Sequence, residues 1–308
     1  MRATVDQWEP SYGQSFDGEP ADTTVEVDVE FEMALDEWRP ITPPPVARTP
    51  VVVFVDGVRR VEARLWIGPD DGELADPAIA ASWAAGAVVC TPERAERGAQ
   101  IISRGLFTAS AHATDLTTAH GVFAHYRTPV GTPDALTNAM QQAMARHEVE
   151  VSGVARDEHP DSLLVVDGPL RDRDNLPDAV GLIKTHHRSY LDGAAASVLA
   201  ALGPGERTPV VTIGTSWARH SWYLRLDGVS GSAPLAGVVR LEASSVLSVD
   251  AARALADRVS AVIPRYRSEA HKDSRAPQNL YPIGGLEREL RHRLGDAKLI
   301  YRALRAAL

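Results

Sequence analysis

Two stretches constrain the fold more than any others, because each is a run of large apolar residues that ends in an aspartate. One reads Leu163, Leu164, Val165, Val166 and delivers Asp167, followed by Gly168, Pro169 and Leu170. The other reads Val51, Val52, Val53, Phe54, Val55 and delivers Asp56, followed by Gly57. Runs with no polar alternation predict strands covered on both faces, so the chain is expected to place two carboxylates at the ends of two buried strands. Asp-Gly also starts turns. Two such pairs, each closing a core strand, point to a site. A carboxylate at the rim of an apolar sheet is costly alone, and hard cations such as magnesium or manganese offset that cost through oxygen ligands.

The other elements are expected around these strands. Residues 1–24 are polar and acidic, an arm that orders against a partner. Val25, Val27, Val29, Phe31 and Met33 alternate with Glu26, Asp28, Glu30 and Glu32, which predicts an edge strand with an acidic outer face. Pro40 and Pro43–Pro45 make a stiff connector, so residues 1–48 form an N-terminal arm and edge strand, and residues 49–308 the main domain. After Asp56, residues 57–60 allow a tight turn into a returning strand through Val61, Ala63 and Leu65. Further strands are expected over 84–91, 99–110, 117–127, 179–184, 208–213, 219–227 and 236–243. Helices are expected from Pro133, with Thr132 as N-cap, over 192–202, over 249–262, and as a final pair beginning after Gly284 and Gly285.

Composition excludes several classes. The 308 residues are 44% apolar, ample for a large core. The net charge of −9 argues against indiscriminate coating of nucleic acid, so a polyanion must be met by a local basic surface. Arg288, Arg291, Arg293, Lys298, Arg302 and Arg305 crowd the last stretch, where an ordinary solvated helix face accounts for them equally well. The single cysteine, Cys90, excludes an intramolecular disulfide and a multi-cysteine zinc site, which fits a reducing cytoplasm. No apolar signal core or membrane-length run occurs. His112, His120 and His125 have no metal-ligand spacing.

Helical periodicity adds a third carboxylate. Leu136, Met140 and Met144 recur every four residues, and the next member of that series is Glu148, which therefore projects toward the sheet, whereas Glu150 lies off that face. In the last helices Leu286, Leu290 and Leu294 form the stripe. At 100° per residue Glu287 lies about 60° from its centre and His292 nearly opposite, so geometry favours Glu287 as the inward group. Between these, Lys184, Thr185, His186, His187 and Arg188 form a basic cluster at the end of a core strand, suited to holding a phosphate, with Lys184 expected to contact the DNA backbone and His187 and Arg275 as lesser candidates.

Hairpin strands, a helix with an inward glutamate, a core strand ending in aspartate and a late helix with another polar group follow the order of parts in an RNase H-like nuclease. This predicts an α/β fold with a mixed central sheet flanked by helices. At Phe54–Gly57, Val165–Leu170, Gly181–Lys184 and Asn279–Glu287 the sequence resembles the NurA family, DNA-end-processing nucleases that partner the hexameric HerA ATPase. The resemblance implies a Mn2+- or Mg2+-dependent deoxyribonuclease in DNA repair or defence, with Asp56 and Asp167 as central ligands and Glu148 as the third. It also implies homodimers and a HerA-type partner. Two metals about 4 Å apart need carboxylates from separated segments. The family's last ligand is usually a histidine shortly after the Tyr-Pro pair; here that neighbourhood offers Glu287, and His292 comes later, so the fourth ligand stays open between them. A non-catalytic DNA-end clamp or ATPase-docking subunit of the same fold is the alternative, and a nucleotide phosphoesterase a third class.

Overall fold

The structure is a computed structural model, which describes residues 2–5, 25–46, 51–69, 75–186, 188–214, 217–227, 235, 237–269, 271–272 and 276–308. In chain order these form β1 (Arg2–Val5), β2 (Glu26–Asp28), β3 (Val52–Gly68), β4 (Asp76–Cys90), β5 (Ala95–Thr108), β6 (Leu116–Thr118) and β7 (Gly121–Arg127). There follow α1 (Pro133–Glu158), β8 (Leu163–Asp167), β9 (Ala179–Ile183), α2 (Gly193–Ala201), β10 (Val211–Gly214), β11 (Ala218–Arg225), β12 (Val238–Ser244), α3 (Val249–Val262), α4 (Tyr281–Arg293) and α5 (Ala297–Ala307).

All the strands join one 12-stranded sheet in the order β2-β10-β11-β12-β9-β8-β3-β4-β5-β7-β6, with β1 on β3. β3, β4 and β5 form an antiparallel meander, and β8 and β9 extend it in parallel from the other edge of β3. That is the expected mixed, RNase H-like sheet, built outward by β12, β11, β10 and β2.

Alternation along the strands assigns each side chain to a face. Val53, Val55, Leu164 and Val166 pack with Val151 and Ala155 of α1. Val52, Phe54, Val165 and Leu182 face the other side, against Val259 of α3 and Ile283 of α4. Asp56 therefore shares the α4 face with Phe54 and Val58, and Val58 packs on Leu286 and Leu290. The alanine-rich middle of β4, with Ala80, Ala81, Ala84, Ala85 and Ala87 fully buried, gives helices close access from both sides.

Three expectations are corrected. β3 does not turn at Gly57: it continues for 17 residues, paired with β4 from Val52↔Cys90 to Ile67↔Asp76 with one register shift at Val61/Ala63. The long β4 partner holds the backbone extended through a sequence whose local preference is a turn, so Asp56 lies within a strand. The N-terminal alternation yields a strand only over Glu26–Asp28, paired to β10 at the sheet edge; the chain then bends away. Glu32 consequently turns inward and meets Arg207 at 2.8 Å, both side chains almost fully buried. α4 begins at Tyr281 with a proline in its first turn, not after the two glycines. Residues 6–24 of the expected arm lie outside the described residues, whereas residues 2–5 pair with the far end of β3. No helix among the described residues is long and apolar enough to cross a membrane.

Candidate metal centre

β8 pairs with β3 only from Val52↔Leu163 to Val55↔Val166, and β1 takes up the same edge again at Val5↔Leu65. Between them that edge carries no strand among the described residues. The gap opens at Asp56, and the last β3–β8 pair sets Asp167 next to it. The third group comes from above. Asp56 lies opposite Gly86 of β4. A side chain at Gly86 would bring its Cβ within 3.0 Å of Leu290 Cδ2, so glycine there lets α4 settle on the sheet. Glu287 descends from that helix. Carboxylate oxygens of Asp56, Asp167 and Glu287 lie within 4.8 Å of one another.

Glu148 approaches from the α1 face. The helix runs ten residues past it to Glu158, so Glu148 is a mid-helix residue, only 8% exposed, on the stripe that its periodicity indicated. Its carboxylate and Met144 lie over the Cα of Gly57, in space that any Cβ at Gly57 would take. The glycine after Asp56 thus serves a close approach, not a turn. Arg173 Nη2 donates to Glu148 Oε2 at 3.4 Å.

The acids oppose one another. Burial, then the charge of Asp167, hold the Asp56 carboxyl well above its usual range; Glu148 and Glu287 add to this, and Lys184 opposes it. Burial pushes Glu148 up to about 7 against the charge of Arg173, with Asp167 adding to the rise. Asp56 Oδ1 accepts from the Gly57 amide at 2.7 Å, but its buried Oδ2 has no hydrogen-bond donor. An orphaned, buried carboxylate oxygen on Asp56, in a residue clustered with two further carboxylates, fits a hard divalent cation: the donors are all oxygen and the negative charge is in excess.

Lys184 supplies part of the missing positive charge. Its Nζ donates to Asp167 Oδ2 at 2.7 Å and to Asn279 Oδ1 at 2.9 Å, and Gln278 Nε2 donates to the Lys184 carbonyl at 3.0 Å. Of the residues singled out from sequence, Asp56, Asp167 and Glu287 converge, Glu148 adjoins them, and Lys184 bonds one of them. His292 is exposed on the solvent side of α4, 3.6 residues per turn having carried it away from the sheet, and it does not join the cluster. His187 and Arg275 lie outside the described residues. The six basic residues of the last helices are all exposed, and Arg291 pairs with Glu287 at 3.6 Å. Arg173 was missed: its loop carries no periodicity to show that it folds back onto Glu148. Asn279 was visible only as the first residue of the stretch 279–287 that carries the resemblance, with no role attached to it.

A mixed sheet with an antiparallel meander, two parallel strands and carboxylates meeting at their junction defines the class: an RNase H-like α/β fold. Within that class, the chain resembles the crystal structure of the NurA nuclease from Sulfolobus solfataricus, with 89% of this chain covering 89% of that one at TM-score 0.50 and 10% identity. The human Endonuclease V catalytic domain is more distant, at TM-score 0.31 and 14% identity over 80% of this chain and 84% of that one. Endonuclease V from Ciona intestinalis, in complex with DNA, gives 0.35 and 8% over 86% and 93%. No protein-family profile and no curated protein sequence matches the chain.

Proposed function

We propose that the chain is a divalent-metal-dependent deoxyribonuclease acting on DNA ends. The observation that carries this reading is the convergence of Asp56, Asp167 and Glu287, with Asp56 Oδ2 buried and orphaned, in a fold shared with the NurA nuclease. These three residues would hold Mn2+ or Mg2+, with Glu148 as a further ligand at the Gly57 side of the gap. Two ions held there would supply a polarised water and charge neutralisation at a phosphodiester. Arg173 orients Glu148, Asn279 and Asp167 hold the Lys184 ammonium, and Lys184 meets the phosphate once substrate competes for it.

The net charge of −9 supports a partner that delivers DNA, for which a HerA-type hexameric ATPase is the proposed candidate, and a homodimer is the proposed assembly. Purified protein incubated with linear DNA should cleave it in Mn2+ and stop on addition of EDTA. Binding without cleavage under every divalent ion would replace this reading with a DNA-end clamp or docking subunit of the same fold.

A further inference from the structure

Behind Asp167 lies a buried ionic group that the site described so far does not use. Glu242 of β12 is 1% exposed and is the cross-strand neighbour of Gly181 in β9. Its Oε1 accepts from Arg219 Nε at 2.7 Å and pairs with Arg240 Nη2 at 3.1 Å, both guanidinium groups being more than nine-tenths buried. Arg240 stacks on the Tyr190 ring at 4.5 Å, and Arg219 on Trp217 at 4.9 Å. Burying three charges carries a large desolvation cost, and well-packed apolar residues often do as well for stability alone.

The other oxygen of Glu242 shows what the group holds. Oε2 accepts the Leu170 amide at 3.3 Å, three residues beyond Asp167. The intervening turn is built around this contact. Gly168 sits at φ +105, a conformation that glycine adopts readily, and its amide donates to Leu182 O at 2.9 Å. The turn then folds back over Gly181, where a Cβ would come within 2.6 Å of Leu170 N and 2.7 Å of Gly168 O. Glu242 is thus the anchor at one end of a tight loop whose other end is Asp167.

We propose that the Arg219–Glu242–Arg240 triad is a positioning device for Asp167: it fixes Glu242, Glu242 fixes the 168–170 turn, and the turn holds the Asp167 carboxylate toward Asp56. Groups bonded directly to a metal ligand govern affinity through orientation, typically by about 10- to 100-fold, and Glu242, which acts on Asp167 through the 168–170 turn, falls at the lower end of that range. The proposal rests on the metal-nuclease reading, and its test separates the two.

Mn2+ affinity is measured by titration calorimetry, with thermal stability, on wild type, Glu242→Gln, Arg240→Lys and Glu32→Gln. Glu32 is the control because its carboxylate is equally buried and bonds Arg207 and the Val210 amide, neither of which belongs to the 168–170 turn. The expected result is a loss of about tenfold or more in Mn2+ affinity for Glu242→Gln and a smaller loss in the same direction for Arg240→Lys. Glu32→Gln should lower the melting temperature and leave Mn2+ affinity within about twofold. If Glu242→Gln fails to fold, Arg240→Lys decides the matter by the same comparison. Unchanged affinity in the folded triad variants, or an equal loss in Glu32→Gln, overturns the proposal while leaving the nuclease reading standing. A wild-type protein that binds no divalent ion overturns both.

Discussion

The Lys184 ammonium lies 2.7 Å from Asp167 Oδ2, so one of the converging carboxylates already has a cation bound to it, supplied by the next strand. Asn279 holds the same ammonium from the loop that leads into α4. A phosphate entering the gap competes with Asp167 for it. Lys184→Ala should weaken DNA binding alike for unrelated sequences and flatten its salt dependence by roughly one unit of slope. Binding measured from low to moderate salt checks this; an unchanged slope would leave Lys184 a structural partner of Asp167 alone.

Glu148 and Glu150 are two positions apart and face different media, the first buried and the second exposed. Glu148→Gln should reduce cleavage by at least ~100-fold, whereas Glu150→Gln should stay close to wild type. Steady-state rates at saturating Mn2+ decide between them, and the reverse ranking would contradict the assignment of Glu148.

Gly57→Ala places a methyl group where the Glu148 carboxylate and Met144 lie. The strand backbone tolerates alanine, so the cost falls on the site. Activity should drop by about tenfold or more for a stability loss of about 1–3 kcal/mol, the usual range for overpacking. Full activity in this variant would show that Glu148 does not need its place over β3.

The acid cluster also fixes the sign of the pH dependence. Glu148 is pushed up from 4.5 to about 7, and Asp56 moves in the same direction. The folded state therefore binds these protons more tightly than the unfolded state. Metal-free stability from this source is full below the ordinary carboxylate range and is lost as pH rises toward 7. For Glu148 the loss is on the order of 3 kcal/mol. Melting temperatures of metal-free wild type and Glu148→Gln, compared between about pH 5 and 8, should show the steeper fall in wild type. Mn2+ must displace the same protons, so its affinity should rise with pH.

Much of this was legible in the sequence, because the signals were periodic. The apolar runs before Asp56 and Asp167 are buried strands, and Leu136, Met140 and Met144 put Glu148 on the sheet-facing stripe. What escaped depended on partners distant in the chain. Gly57 read as a turn because local preference favours one, but the long β4 ladder keeps β3 extended and hands the glycine to Glu148. Glu32 read as solvent-facing by alternation, yet Arg207, far along the chain, draws it inside. The gap in the β3 edge exists only because β8 stops and β1 starts, which no single segment encodes. Arg173 lies in a loop, where neither spacing nor composition marks an inward-pointing charge, and Glu242 lies in a strand whose charges are buried only by pairing with Arg219 and Arg240, which no local pattern encodes.

An anomalous-scattering map from crystals soaked in Mn2+, with Asp56→Asn crystals as the comparison, locates the ion itself. Mn2+ density is expected between Asp56, Asp167 and Glu287 in the wild type and is expected to be lost in Asp56→Asn, with the strands unmoved. Density that persists in the variant, or Mn2+ bound elsewhere with none between these carboxylates, would contradict this metal centre.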